Sequence, residues 1–440
     1  MLSASGSAAE RGTVTETGVS AGVGARRRTQ VLTGSVGHLV EYFDWSAYSF
    51  LAIYFSRQFF PGDAESVVPL LATFTVFAVG FLARPIGGVL MGRMADRYGR
   101  KPTLAVGVAM MGFGSLMIGL APTYAQVGVL APVILVGARL IQGLSTGGEL
   151  STATAFLVES APADRRGAYG SIVNVGSSVG KVLCLLAITI LVESVGAGAM
   201  AEWAWRVPFL LGAALAVVAW WIRRSAEETL QDADAPAAGE SPYREILAGH
   251  RGDFGRAFVL ASSTAAVFYA WSTFVPTWAI LTAGLNKESA VTISAIAFVV
   301  YGIIQIPLGL LSDRIGRKPM MYASLLVGAV CTVPLFLVIS EGFLTVLAVQ
   351  CAGMAITAVM MAGLGTALAE MFPARIRVLA TGTAFALATA IFGGTVPAIG
   401  TALHERGLDT AFPLYLVLLH LIALPVVHRC RETAHAPLPR

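Results

Sequence analysis

Gly92-Arg93-Met94-Ala95-Asp96-Arg97-Tyr98-Gly99-Arg100-Lys101-Pro102 is a short hydrophilic stretch in an otherwise oily chain. It recurs as Gly309-Leu310-Leu311-Ser312-Asp313-Arg314-Ile315-Gly316-Arg317-Lys318-Pro319. Seven of the eleven aligned positions are identical, and the offset of 217 residues is close to half of 440. A second pair obeys the same rule: Glu159, Pro162 and Arg166 (E-x-x-P-x-x-x-R) return as Glu370, Pro373 and Arg377, 211 residues on. Two motifs repeated in order at nearly half the chain length mark two copies of one unit.

The unit is a membrane one. Hydrophobic residues make up 56% of the chain, charged residues only 13%, and the mean hydropathy is +0.72. A soluble domain carries roughly 25% charged residues. Apolar runs of about 20 residues, the length that crosses a ~30 Å hydrocarbon core, fall near 31–55, 67–91, 102–121, 128–158, 169–192 and 205–222. Six more fall near 257–283, 290–311, 319–339, 343–371, 379–403 and 411–427. The runs lack the polar face at helical spacing that a soluble helix shows. The expected fold is therefore all-α, with twelve transmembrane helices in two pseudo-symmetric bundles, 31–222 and 257–427. Residues 223–256, which include QDADAPAAGESP, read as a flexible cytoplasmic linker. Residues 1–30 read as a disordered cytoplasmic tail with no cleavable leader, and 428–440 as a second cytoplasmic tail.

Lys and Arg set the orientation. With both ends on one side, 23 of the 30 lie there, and only Arg57, Lys287 and Arg406 lie opposite. Arg84, Arg139, Lys181 and Arg206 fall within or at the ends of spans. Both termini are expected in the cytoplasm, and the net charge of +4 carries no nucleic-acid signal. Cys184, Cys331, Cys351 and Cys430 have no metal-ligand spacing. Gly176-Ser-Ser-Val-Gly180-Lys181 is one residue too short for a phosphate loop, has Val182 where Ser or Thr belongs, and lies in an apolar span. That excludes an ATP-driven pump on motif grounds.

Two parallel six-span units joined by a cytoplasmic linker resemble the major facilitator superfamily, and Gly92-x-x-x-Asp96-Arg97-x-Gly99-Arg100-Lys101 resembles its signature loop. Glu41-Tyr42-Phe43-Asp44, Phe81-Leu82-Ala83-Arg84-Pro85-Ile86-Gly87-Gly88 and Arg139-Leu140-Ile141-Gln142-Gly143 through Glu149 resemble the metabolite:proton symporter branch. So do Trp203 to Phe209 and Ala390 to Thr395. Within that branch the chain is most similar to 2-oxoglutarate permeases, around Ser46 to Phe50 and Glu370 to Ala374. The resemblance implies a transporter, not an enzyme, driven by the proton gradient without a cofactor. It further implies a monomer in the inner (plasma) membrane, whose partners are a small carboxylate, protons and the bilayer. Phe385-Ala386 departs from the Tyr-Asn of several relatives, which leaves the substrate open.

Ionisable residues inside a span cost ~2.5–3.5 kcal/mol each on insertion scales, and here they gather in one half. Glu41 and Asp44 lie on the first span, Arg84 on the second, Arg139 and Glu149 on the fourth, Lys181 on the fifth, and Arg206 opens the sixth. The second half offers neutral groups: Tyr269, Trp271, Tyr301 and Gln305. Helical spacing puts Glu41, Asp44, Trp45 and Tyr48 on one face, and Arg139, Gln142, Thr146 and Glu149 on another. Asn174, Ser177 and Lys181 share a third. Inter-helix ion pairs are the plain reading of any one of these charges. Seven together read as a cavity whose cations (Arg84, Lys181, Arg206) take an anion, with Tyr48, Gln142, Tyr269 and Trp271 beside it. Lys181 either takes a further carboxylate or pairs with Glu149 or Asp44. Glu41, Asp44 and Glu149 are the candidate proton carriers, Glu41 and Asp44 before Glu149, whose alternative is to be locked to Arg139, itself counted in the proton-coupling set; His38 reads as a packed polar residue. The rival ligand is a zwitterion such as proline or betaine, and the rival direction is proton antiport.

The repeated loops read as gates. Asp96 is expected to bond the helix amino terminus near Leu379–Gly382, Arg100 to reach Glu159 and Arg317 to reach Glu370. Gly92 and Asp313 complete the set.

Overall fold

The computed structural model describes residues 16–63, 66–146, 149–225 and 242–439. The side chains of Asp96, Arg100 and Glu149, and the centre of the linker, lie outside the described residues. The helices are α1 Glu16–Phe59, α2 Val68–Tyr98, α3 Arg100–Leu120, α4 Tyr124–Val127, α5 Leu130–Ser145, α6 Glu149–Ser160, α7 Arg166–Ala199 and α8 Arg206–Ser225. They continue as α9 Pro242–Gly249, α10 Arg251–Tyr269, α11 Val275–Ala283, α12 Lys287–Ile315, α13 Arg317–Leu337, α14 Phe343–Met371, α15 Ala374–Ala388, α16 Val396–Glu405 and α17 Ala411–Arg429. Among the described residues there is no strand.

Among the described residues nine helical stretches are long and apolar enough to cross a bilayer, and Leu130–Ser145 and Arg206–Ile222 are shorter apolar helices. Two boundaries differ from the sequence reading. The first helix starts at Glu16: residues 16–30 contain no proline, and their three glycines weaken a helix without ending it. Helix Pro242–Gly249 and the start of α10 occupy the second part of the linker. In the fourth apolar run the described residues are helical over Leu130–Ser145 and again over Glu149–Ser160, with 147–148 outside them.

Three π-helical turns, Met200–Ala204, Ala270–Phe274 and Thr389–Gly393, each precede a Val-Pro pair: Val207-Pro208, Val275-Pro276 and Val396-Pro397. Proline lacks the amide that the carbonyl four residues earlier needs, so the ladder slips by one just before it. Gly99 and Gly316, one at each copy of the loop motif, have φ of 93° and 103° with ψ of 158° and 164°. That conformation is closed to side-chain-bearing residues, which explains why both copies have glycine there.

Helices α1, α7 and α8 pack together, as do α2 with α5 and α3 with α8; in the second half α13 packs on α17 and α14, and α10 on α15 and α17. The halves meet along two seams, α7 against α12, and α2 against α15 and α16. Between the seams lies a central cavity of about 1070 Å³, its open mouth included.

Candidate functional site

Glu41, Tyr42 and Arg84 line the cavity from the first half. Thr154, Asn174, Thr366, Thr381, Phe385 and Ala386 are further parts of its wall. The Phe-Ala pair that departs from the family pattern thus stands on the wall. Arg84 Nη2 lies 3.3 Å from Glu41 Oε1. Its guanidinium carbon sits 4.3 Å from the Trp45 ring centre and 4.1 Å from that of Phe81, and Tyr269 bonds it from the second half. Arg84 Nε has no hydrogen-bond partner. A buried guanidinium with a donor to spare is equipped to take an anion.

Asp44 and Arg139 form a second, sealed cluster. Both are fully buried, with Arg139 Nη1 at 3.4 Å from Asp44 Oδ2 and 2.7 Å from Gln142 Oε1. Gln142 Nε2 donates to Asp44 Oδ2 at 2.7 Å, and the Ser115 hydroxyl donates to Asp44 Oδ1. The Tyr48 ring covers the Arg139 guanidinium at 3.7 Å, and its hydroxyl bonds Thr73 O at 2.9 Å. Ser115 is the member that sequence reading missed. It stands alone in the apolar α3, and an isolated serine carries no spacing signal.

The other expected ligands are elsewhere. Arg206 does not line the cavity: Nη2 caps the carboxyl end of α3 by donating to Ala121 O at 3.0 Å, and the guanidinium lies over Trp205. A cation at a helix carboxyl end satisfies loose carbonyls, which is a structural task. Trp271 packs against Phe336 in the second-half core and its carbonyl accepts from Gln350. Tyr48 and Gln142 belong to the sealed cluster. Lys181 pairs with no carboxylate among the described residues; its Nζ lies 4.2 Å from the Phe268 ring centre, 4.5 Å from Phe298 and 5.3 Å from Tyr42. His38, at i−3 from Glu41, places Nδ1 3.7 Å from Glu41 Oε2 and Nε2 3.2 Å from Ser177 Oγ.

At the loop end of the bundle the repeat motifs clasp across the halves. Asp313 accepts from the backbone N–H groups of Gly167 and Ala168 at 2.7 and 2.9 Å, at the positive end of α7. Arg317 donates to Asp313 at 2.9 Å and reaches Glu370 at 3.3 Å. Glu159 pairs with Arg377 of the other half, and Glu370 lies 3.9 Å from Arg166. The expected contact of Glu159 with Arg100 falls on a side chain outside the described residues; Glu159 does meet the arginine of the second E-x-x-P-x-x-x-R copy, because the pseudo-twofold-related motifs face each other. Gly92 is exposed, with open space where a Cβ would stand.

The carboxyl-terminal segment is sewn onto this clasp. Glu432 accepts from the amides of Arg317 and Lys318 at 2.9 and 3.0 Å, and from those of Thr433 and Ala434. The Thr433 hydroxyl donates to Glu370, Arg166 to Ala436 O and Arg377 to Pro439 O. Burial pushes the Glu432 carboxyl up, but those four amides outweigh it and hold the group below its ordinary value.

Among known sequences, the profile of the Major Facilitator Superfamily matches residues 34–300 and 260–437. The chain belongs to that superfamily. An alpha-ketoglutarate permease of Escherichia coli is 39% identical over 91% of this chain and 93% of its own. A proline/betaine transporter of Salmonella typhimurium is 31% identical (93% and 85% covered), and a citrate-proton symporter of Klebsiella pneumoniae 32% (89% of each). The xylose transporter of E. coli, in a partially occluded inward open conformation, superposes with a TM-score of 0.68 at 18% identity, over 92% of this chain and 98% of that one. The protein is thus a multi-pass membrane transporter of the superfamily and not an enzyme.

Proposed function

We propose that this transporter carries a small organic anion inward with protons, most closely a di- or tricarboxylate such as 2-oxoglutarate, by alternating access. The observation that carries this reading is Arg84: a guanidinium on the cavity wall, mostly but not fully buried, balanced by one carboxylate at 3.3 Å and with its Nε lacking a hydrogen-bond partner. An anion entering there competes with Glu41 for the guanidinium, and a proton on Glu41 compensates the displaced charge. Asp44, gripped by Arg139, Gln142 and Ser115, is the second proton candidate. Lys181, whose Nζ lies among the Tyr42, Phe268 and Phe298 rings, is a further cation, and its release from that cage adds a contact for a second carboxylate. No resident cofactor enters this scheme; the proton gradient supplies the work.

We read the topology as twelve spans. To the nine long stretches are added α1, whose His38, Glu41 and Asp44 dilute its hydropathy, the α5–α6 pair, and α8. The Lys/Arg distribution puts both termini and the clasp on the cytoplasmic side of an inner membrane. The halves run over about 31–222 and 257–427. Opening inward breaks the Asp313, Glu159–Arg377 and Arg166–Glu370 contacts, which makes them the gate; Asp96 and Arg100 are assigned the matching role. The rival cargo is a zwitterion, whose ammonium the cavity carboxylate Glu41 would take.

Purified protein in liposomes, with an imposed inward proton gradient and labelled 2-oxoglutarate, citrate, succinate, proline and betaine, separates these readings. Accumulation of an acid, abolished by an uncoupler, is expected. Uptake of betaine and no acid overturns the anion reading.

A further inference from the structure

His38 is held between Ser177 and Glu41. Its Nε2 lies 3.2 Å from Ser177 Oγ, whose hydroxyl is also within reach of Val173 O at 3.0 Å. Its Nδ1 is buried, has no hydrogen-bond partner and lies 3.7 Å from Glu41 Oε2. Both side chains are more than nine-tenths buried. Nδ1 and Oε2 face each other across a gap that one shared proton would close into a charge-assisted hydrogen bond.

The backbone holds this gap. His38 and Glu41 stand one turn apart on α1. Helix α7 comes close beside them because residue 180 is glycine: a Cβ there would lie 2.6 Å from Leu39 O. That approach is what sets Ser177 against the ring. The titratable and charged groups around the pair are Tyr42 and Asp44 on α1, Arg84 on α2, Lys181 on α7, Tyr269 on α10 and Tyr301 on α12. Arg84 is the only one of these in ionic contact with Glu41 among the described residues.

We infer that His38 is a proton-carrying residue of the transport cycle, sharing one proton with Glu41 whenever an anion occupies Arg84. The inference rests on the anion-symport reading above. In the empty site Arg84 holds Glu41, and His38 is neutral. When an anion takes the guanidinium, Glu41 loses its cation, and one external proton bonds between Nδ1 and Oε2. On release the anion leaves, Arg84 returns to Glu41 and the proton departs. The empty site regains its charge after each turn, the one proton offsets one of the cargo's negative charges while it is bound, and cargo and proton move together.

The test uses the full-length protein in liposomes, with 2-oxoglutarate and citrate as probes and two assays. One is accumulation driven by a pH gradient; the other is counterflow at equal pH, which moves no net protons. His38→Gln and His38→Asn are expected to lower gradient-driven accumulation by roughly fivefold or more, to flatten its pH profile, and to affect counterflow much less. Wild-type accumulation and pH profile in both variants overturn the role of His38 and leave the symport reading standing. A wild-type protein that ignores the gradient for both acids sinks the symport reading and this inference together. Should the variants not fold, 15N-histidine NMR of protein whose other five histidines are replaced reads the same claim. Nδ1 is expected to gain a proton on adding the acid that the wild type carries, and an unchanged Nδ1 overturns it.

Discussion

Arg84, Arg139 and Lys181 in the first half have Tyr301, Gln350 and Phe392 at the repeat-related places of the second, by the same offsets of 217 and 211 that relate the motifs. The first half builds a charged interior: Glu41 on Arg84, and Asp44 among Arg139, Gln142 and Ser115. At the matching place in the second half Gln350 donates to Trp271 O and meets Ser294, while Thr332, the counterpart of Ser115, turns back to Gly328 O of its own helix. At the clasp the halves agree: each contributes one Glu and one Arg, and the pairs cross. Symmetry is kept where the two halves touch and broken where charges lie within the spans, and each charge placed there is costly.

That contrast can be broken by writing the second half's residues into the first. Arg139→Gln leaves Asp44 buried without its cation and should cost about 3–5 kcal/mol, the usual penalty for breaking a buried pair, visible as a large fall in melting temperature. Adding Asp44→Asn should recover most of that stability and still leave gradient-driven accumulation absent; a coupled double variant would remove Asp44 from the proton path.

Arg84→Tyr tests the anion site directly. It deletes a charge-assisted contact of about 1.5–3 kcal/mol, so uptake of the acid per folded molecule should weaken roughly 10- to 100-fold. Unchanged uptake in this variant contradicts the assignment.

The clasp predicts a smaller, reversible effect. Glu159→Arg or Arg377→Glu alone should loosen the seam, and the double swap should restore it, with a coupling energy of about 1 kcal/mol because Glu159 is partly exposed. Cysteine accessibility at Thr154 and Gly365 would report the opening, and additive single effects would show that the pair does not form.

Smallest is the carboxyl-terminal strap. Glu432 has its folded value held below the unfolded one, so its contribution is present above the unfolded pKa of about 4.3. It is lost as pH falls through the folded value. Glu432→Gln should mimic that loss at neutral pH, by under about 1 kcal/mol after solvent screening. Faster proteolysis of the tail is the readout, and a variant that is cut no faster than wild type leaves the strap without an energetic role.

The repeated motifs, the membrane class and the asymmetry of charge within the spans were legible without coordinates. Hydropathy and motif repetition are local properties, and a charge in an apolar run stands out wherever it lies. So was the reach of Arg317 to Glu370, since each is named by a repeated motif. Illegible were the division of the charges into a cavity pair and a sealed cluster, the diversion of Arg206 to the end of α3, and the docking of residues 432–439. Each depends on which helix faces which, and no periodicity encodes the rotation of one helix against another. The crossed Glu–Arg pairs could have been found, because a pseudo-twofold that repeats a Glu and an Arg invites an exchange between copies.

Composition and repetition by themselves determined that this chain is a helical membrane protein with a repeated motif and with the charges inside its spans gathered in one half, because bilayer solvation acts on each residue independently. Only the packed structure decided which cation meets the cavity and that His38 stands between Ser177 and Glu41. Those are matters of a few ångströms between helices far apart in sequence, set by where small residues let backbones approach.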